Sequence, residues 1–316
     1  MKQHTLSGFE KYGKRTRRAQ FLADMDRIVP WPEMTAAVET VYPKISENGG
    51  RPPIPLERML RIYFLQLWFN LSDPAVEEAL YDVDSMRRFV GIDLGAEAPP
   101  DETTVCKFRH FLEQHDLSGR VLKVVNRHLA SRGITVKNGT IVDATIIDAP
   151  SSTKNQDGER DPEMHQAKKG EQWYFGMKMH VGVDSQTKII HTVQVSAANV
   201  ADKDALPHLL HGSETRVWGD QAYQGQGEVL ARVAPMARDL TNQRYRHHGK
   251  IDEPVREANR LKSKVRARVE HVFGTIKGIF GFRKVRYRGL AKNRHHVQML
   301  AAMANLYTWR RRLLTT

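Results

Sequence analysis

Cysteine is nearly absent: Cys106 is the single one in 316 residues. No internal disulfide can staple the chain, and no cysteine-built zinc centre can form. Long apolar runs are missing too, since the stretch from Met59 to Phe69 is broken by Arg61 and Gln66 and falls short of the ~20 residues that span a bilayer. The opening Met1-Lys2-Gln3-His4 leads into polar and charged sequence, without the apolar stretch of a secretory signal. Acidic residues are scarce relative to basic ones, 36 against 49, for a net charge of +13. That deficit favours a polyanionic partner, nucleic acid before an anionic membrane surface. The expectation is a cytoplasmic protein of a reducing compartment, with no membrane partner.

What is present changes character along the chain. Residues 1–50 read as a polar, loosely patterned arm, closed by the turn signal Asn48-Gly49-Gly50-Arg51-Pro52-Pro53. Residues 51–135 read as a helical domain. Pro55 can start a helix with Leu56, Met59, Leu60, Tyr63, Leu67 and Trp68 at helical spacing, and Asp73-Pro74 opens a second running to about Arg88. Asp101 or Thr103 can cap a third, and Asp116 or Ser118 a fourth ending near Gly133. Residues 136–316 alternate β-branched runs with helical patterns: strands at 140–147, 174–183, 189–195, 216–220 and 238–242, and helices at 202–210, 226–233 and beyond. This predicts an α/β fold with a mixed sheet. The polar insertion from Pro150 to Gln172 is too long for a simple hairpin loop.

Three carboxylates stand out against that background. Asp143 lies in the strand-like Thr140-Ile141-Val142-Asp143-Ala144, Asp220 ends Val217-Trp218-Gly219-Asp220, and Glu270 sits in a helical run from Val265. Strand, later strand and helix is an order that can converge acids on divalent cations. Two-metal phosphodiester cleavage needs carboxylates that flank ions ~3.5–4 Å apart, and Mg²⁺ takes a few carboxylates plus water and phosphate, with Mn²⁺ as a substitute. Gly219 would leave room beside Asp220. At ~100° per residue, Ser263, Arg266, Glu270 and Lys277 project from one helical stripe. Val265, Val269, Val272 and Ile276 form the adjacent apolar one. Cations beside a metal-binding acid suit a phosphate backbone; an exposed salt-bridge face is the plainer alternative. Asp148, placed on the opposite strand face, and Asp184, in a turn, read as decoys.

These residues carry a resemblance. Asp143, Asp220 and Glu270 resemble the triad of DDE transposases, and Arg266, Glu270 and Lys277 match the arginine-x3-glutamate-x6-lysine signature of the insertion-sequence-four superfamily. Asp161 to Gly170, continuing Gln172-Trp173-Tyr174-Phe175-Gly176-Met177-Lys178, and upstream Pro100 to Val105, are similar to the insertion-sequence-five family. The family has tyrosine where this chain has Ser263, a shorter hydroxyl that cannot stack. The resemblance implies an RNase H-like mixed sheet with flanking helices behind an all-helical N-terminal domain, two Mg²⁺ ions, transposon-end and target double-stranded DNA as partners, and a homodimer. It further implies cleavage of the element's ends and joining of the 3′-hydroxyls to target DNA. A metal-dependent nuclease without strand transfer and an inert DNA-binding regulator are the rivals.

Basic residues supply candidate DNA contacts beyond Arg266, Lys277 and Ser263. Lys168, Lys169 and Trp173 belong to or adjoin the insertion, which is expected to be mobile and to order over DNA. Trp173 either offers a base platform or packs beneath the sheet. Lys107 and Arg109, with His110, share a helix that could close a helix-turn-helix. Arg286 and Arg288 belong to the late basic cluster around Tyr287, which stacks on bases or is buried. Lys178 and His180 read as a solvated strand face, and His247-His248 and His295-His296 as surface or phosphate-contacting pairs rather than zinc ligands.

Overall fold

The computed structural model describes residues 14–44, 52–154, 156, 158–247 and 250–315. Seven helices precede the sheet: α1 Arg17–Ile28, α2 Trp31–Glu39, α3 Leu56–Phe69, α4 Asp73–Asp82, α5 Asp84–Val90, α6 Glu102–Gln114 and α7 Leu117–Ser131. Their ends follow local chemistry. Thr16 accepts from the Ala19 N–H at 3.1 Å, Ser72 from Ala75 at 3.2 Å and Asp101 from Thr104 at 2.7 Å, each pairing an otherwise orphaned helix donor.

Two expectations change here. Within the N-terminal 50, α1 and α2 are not a loose arm, because they bury Leu22, Met25 and Ile28, then Trp31, Met34 and Val38. Their apolar spacing is diluted by charged neighbours, which hid it. The start of that arm and the Asn48-Gly49-Gly50-Arg51 turn lie outside the described residues. The helix expected from Asp73 to Arg88 is two, broken where Val83 adopts extended backbone, φ −109° and ψ 95°.

The sheet is built from β1 Gly139–Asp148, β2 His165–Lys169, β3 Gln172–Asp184 and β4 Ile190–Ala197, followed by the short helix α8 Asp202–Ala205, β5 Arg216–Trp218, α9 Gly227–Val233 and β6 Arg238–Asp239. Strands run in the order β4-β3-β1-β5-β6, antiparallel across β4-β3-β1 and parallel across β1-β5-β6. This is the RNase H-like arrangement. A two-stranded ribbon, β7 Arg246–His247 and β8 Lys250–Ile251, leads into α10 Glu253–Arg266; His248 lies outside the described residues.

The helix expected to carry Glu270 is segmented. After α10 the chain turns, resumes as α11 Val269–Phe273 and widens into a π-helical segment, Gly274–Ile279. Its apolar stripe behaves as expected, with Val269, Val272 and Ile276 buried. The last helix, α12 Leu290–Thr315, packs on α7, α1 and β4. Buried Asn305 ties these layers, accepting from the Ile190 N–H at 2.9 Å and donating to the Ile190 carbonyl and to Asn126 Oδ1, each at 2.8 Å. One hydrophobic core runs through the N-terminal helices, the sheet and α12, so the helical part and the sheet share their interior.

Candidate active site

Parallel pairing explains how the two aspartates meet. Ile141 of β1 sits opposite Trp218 of β5, so Asp143 and Asp220, each two residues farther along, come level at the same end of the sheet. Glu270 reaches the same place from α11. All three line one cavity of about 850 Å³, together with Arg266, Lys277, Lys168 and Lys169. The candidate acids and four of the candidate cations are therefore gathered in one cleft.

Asp143 is 7% exposed. Its Oδ1 accepts from the Ala144 N–H at 2.8 Å and its Oδ2 from Arg266 Nη1 at 2.6 Å. Burial pushes its carboxyl up to about 6; the Arg266 guanidinium and the Ala144 N–H oppose this, and the charge of Asp220 adds to it. Asp220 is half-buried and accepts from the Ala222 N–H at 2.9 Å at the start of a short 3₁₀ turn. Glu270 is exposed to the cleft. Such hard oxygen donors suit Mg²⁺ or Mn²⁺, and the electrostatic strain between Asp143 and Asp220 is one a cation would relieve. Among the described residues, no three acidic, histidine or cysteine side chains are drawn together tightly enough to hold one ion.

Lys277 donates to Thr145 Oγ1 at 3.1 Å and to the Ile146 carbonyl at 2.8 Å, which fastens the π-helical segment to β1. Its ammonium pKa is lowered by burial, with Lys169 and Arg283 adding and Asp148 opposing. Ser263 accepts from Asn242 Nδ2 at 3.0 Å and does not line the cleft.

Within the insertion, β2 pairs with the start of β3 as a hairpin, setting Lys168 opposite Trp173. Trp173 is 63% exposed, so it does not pack beneath the sheet. Two insertion residues, 155 and 157, lie outside the described set.

Several readings are corrected by burial and pairing. Arg109 is buried, ion-paired to Asp73 at 2.9 Å and Glu113 at 3.3 Å, with its guanidinium 4.2 Å from the centre of the Tyr287 ring. It turns inward, its guanidinium engaged within the helical part, while Lys107 stays exposed. Arg286 is half-buried and donates to the Asn70 carbonyl and side chain at 2.5 and 2.7 Å; Arg288 is exposed. Asp148 lines the same cleft as Asp143, because β1 ends there and its last residue opens toward Lys277. Space beside Gly219 is filled by the Tyr223 side chain, whose Cβ would stand 3.0 Å from an added methyl. Asp184 does have a structural role, accepting from the Lys137, Gln186 and Thr187 N–H groups at 2.6 to 2.9 Å.

Histidines are the largest change. His180 is buried, shares a hydrogen bond with Ser196 Oγ at 2.8 Å, and is lowered to about 4, by desolvation first. Lys178 pairs with Asp202 at 2.8 Å and both line the cleft. No sequence spacing joins these two, since β3 and α8 meet only in the fold. His295 and His296 are buried in α12, not at the surface.

A family model for the transposase DDE domain matches residues 134–306, and a second, described as a transposase domain (DUF772), matches residues 10–111. A solved structure of the piggyBac transposase, in a synaptic complex with hairpin DNA, is similar at 11% identity and a TM-score of 0.45, over 93% of this chain and 75% of that one. Since the first model spans more than half of the chain and its aspartates and glutamate meet in one cleft, the protein belongs to the transposase DDE domain family.

Proposed function

We propose that this DNA transposase binds the terminal inverted repeats of an insertion sequence of the insertion-sequence-five family, cuts the DNA at its ends and joins the freed 3′-hydroxyls to target DNA at the cleft of Asp143, Asp220 and Glu270. The level register of the two aspartates at one end of the sheet, with Glu270 in the same cavity, carries the reading. When bound there, two divalent ions would supply activation of the attacking oxygen and stabilisation of the leaving one. Asp143, Asp220 and Glu270 would hold them, drawing closer together than they stand in this structure.

The chain's own cations do the positioning. Arg266 offsets the buried Asp143 carboxylate, and Lys277 braces β1 while adding positive charge beside Lys168 and Lys169. Together they suit a phosphate backbone crossing the cleft. Lys107 and Arg288, both exposed, and Trp173 extend the contact surface. Two ends must be brought together, so a homodimer is the expected working unit.

Asp143→Asn, Asp220→Asn and Glu270→Gln should each abolish end cleavage and leave end binding close to parental. Cleavage of labelled ends with Mg²⁺ or Mn²⁺, alongside gel shifts, measures both. A variant that still cuts at the parental rate removes that residue from the site. Cleavage without joining of a labelled end into plasmid would identify a nuclease, and binding without either step a regulator.

A further inference from the structure

A second cavity, of about 550 Å³, adjoins the catalytic cleft and is lined by Lys188, Glu270, His271, Gly274, Thr308 and Arg310, among others. Glu270 and Gly274 line both cavities, so the segment from Val269 to Ile279 is the divide between them. At Gly274 the divide is low. A Cβ added there would meet nothing within 4 Å, and the backbone is right-handed helix at φ −60°, ψ −38°.

The cationic wall of this cavity is held in place. Arg310 projects from α12 with its guanidinium carbon 3.8 Å from the centre of the Tyr307 ring, and Nη1 donates to the Tyr307 carbonyl at 2.8 Å. Lys188 sits in the turn between β3 and β4, in left-handed backbone at φ 61°. That turn is gripped by Arg268, which donates to the Ser185 carbonyl. Among the described lining residues the basic groups Lys188, His271 and Arg310 face one carboxylate, Glu270. Ile279 adds an apolar surface, 52% exposed.

We infer that a DNA strand in the catalytic cleft continues over Gly274 into this second cavity, where Lys188, His271 and Arg310 hold its phosphates; this rests on the proposed function. The ligand chemistry is a phosphodiester backbone, from either the DNA flanking the element or the target strand. Its geometry follows from Glu270 facing both cavities: a strand reacting beside that residue has a cationic channel on each side of it.

The test uses the full chain, with Lys188→Gln, Arg310→Gln, their combination, and Arg310→Lys. Binding is measured without divalent metal, across a salt series, to an end duplex carrying flanking sequence and to target plasmid. The double variant should lose close to two units of the logarithmic salt slope, at ~0.9 per phosphate contact, for whichever DNA occupies the cavity. Arg310→Lys should restore most of the Arg310 share, which a purely structural role would not. Gly274→Phe keeps the charges and the helical backbone; it should melt as the parent does yet join or cut DNA at least tenfold more slowly. Unchanged slopes with both DNAs would overturn the inference. A parent that binds ends but never cuts or joins them would sink the proposed function instead, while the salt slopes still decide the cavity.

Discussion

Asp143 shows how burial and ionisation compete at one residue. Desolvation pushes its carboxyl toward the neutral form, and Arg266 at 2.6 Å pulls it back toward the anion. A cation taking the place of Arg266 would favour the anion in the same way. The buried histidines respond to pH in the opposite sense. His296 is lowered to about 3 and His295 to about 4, by burial first and then by neighbouring charges, among which Arg109 and Arg294 lower His295 while Asp116 opposes them. Their folded pKa lies below the unfolded 6.5, so the unfolded chain binds more protons between about pH 3 and 6.5. Stability is lost as pH falls through that window. Urea titrations at pH 7 and pH 5 should show a loss of up to ~1.4 kcal/mol per pH unit for each such histidine. His296→Phe keeps an aromatic ring against Phe282 and Tyr287, whose centroids lie 4.8 and 5.4 Å away, and should remove part of the slope. An identical pH dependence in parent and variant would refute this assignment.

At the scale of elements, the β2–β3 hairpin and the segmented helix after α10 form two walls of the cleft. Lys168 and Lys169 lie exposed on β2, with Trp173 across from Lys168 on β3. Nothing in the core depends on them, so Lys168→Ala combined with Lys169→Ala, or Trp173→Ala, should shift unfolding free energy by no more than ~0.5 kcal/mol. The same variants should slow end cleavage several-fold. Thermal melts beside cleavage time courses separate the two effects, and parental cleavage in both would release the hairpin from any role in holding DNA. The π-helical winding at Gly274–Ile279 changes how side chains rotate around the axis, and Lys277 spends its donors on β1. That bracing relation was absent from the one-stripe reading of a regular helix.

For the whole molecule, the consequential feature is the shared interior. α12 closes over β4, α7 and α1, and the buried Asn305 bridges β4 and α7. Arg109, Asp73 and Glu113 meet Tyr287 across the same boundary. A fragment of residues 136–316 would expose the face of α12 that α1 and α7 cover, and leave Tyr287 without its guanidinium partner. It should therefore fail to give a cooperative thermal transition by circular dichroism, whereas the full chain should give one. A sharp melt from the fragment would mean that the sheet and α12 stand without the N-terminal helices.

Local chemistry in the chain determined the existence of most helices and strands, the cap at Asp101, the apolar stripe through Val269 and Ile276, and the three acids with their order strand, strand, helix. Those features depend on neighbours within a turn or a few residues, which a linear reading sees. Only the tertiary structure decided that Asp148 shares the cleft, that Lys178 finds Asp202, that Arg109 faces inward, and that His180, His295 and His296 are buried. The same holds for α1 and α2, whose sparse apolar residues become a core face only against α3, α5, α7 and α12. Burial and long-range pairing are set by which elements meet, and here that follows from the parallel crossover to β5 and the return of α12 onto the N-terminal helices.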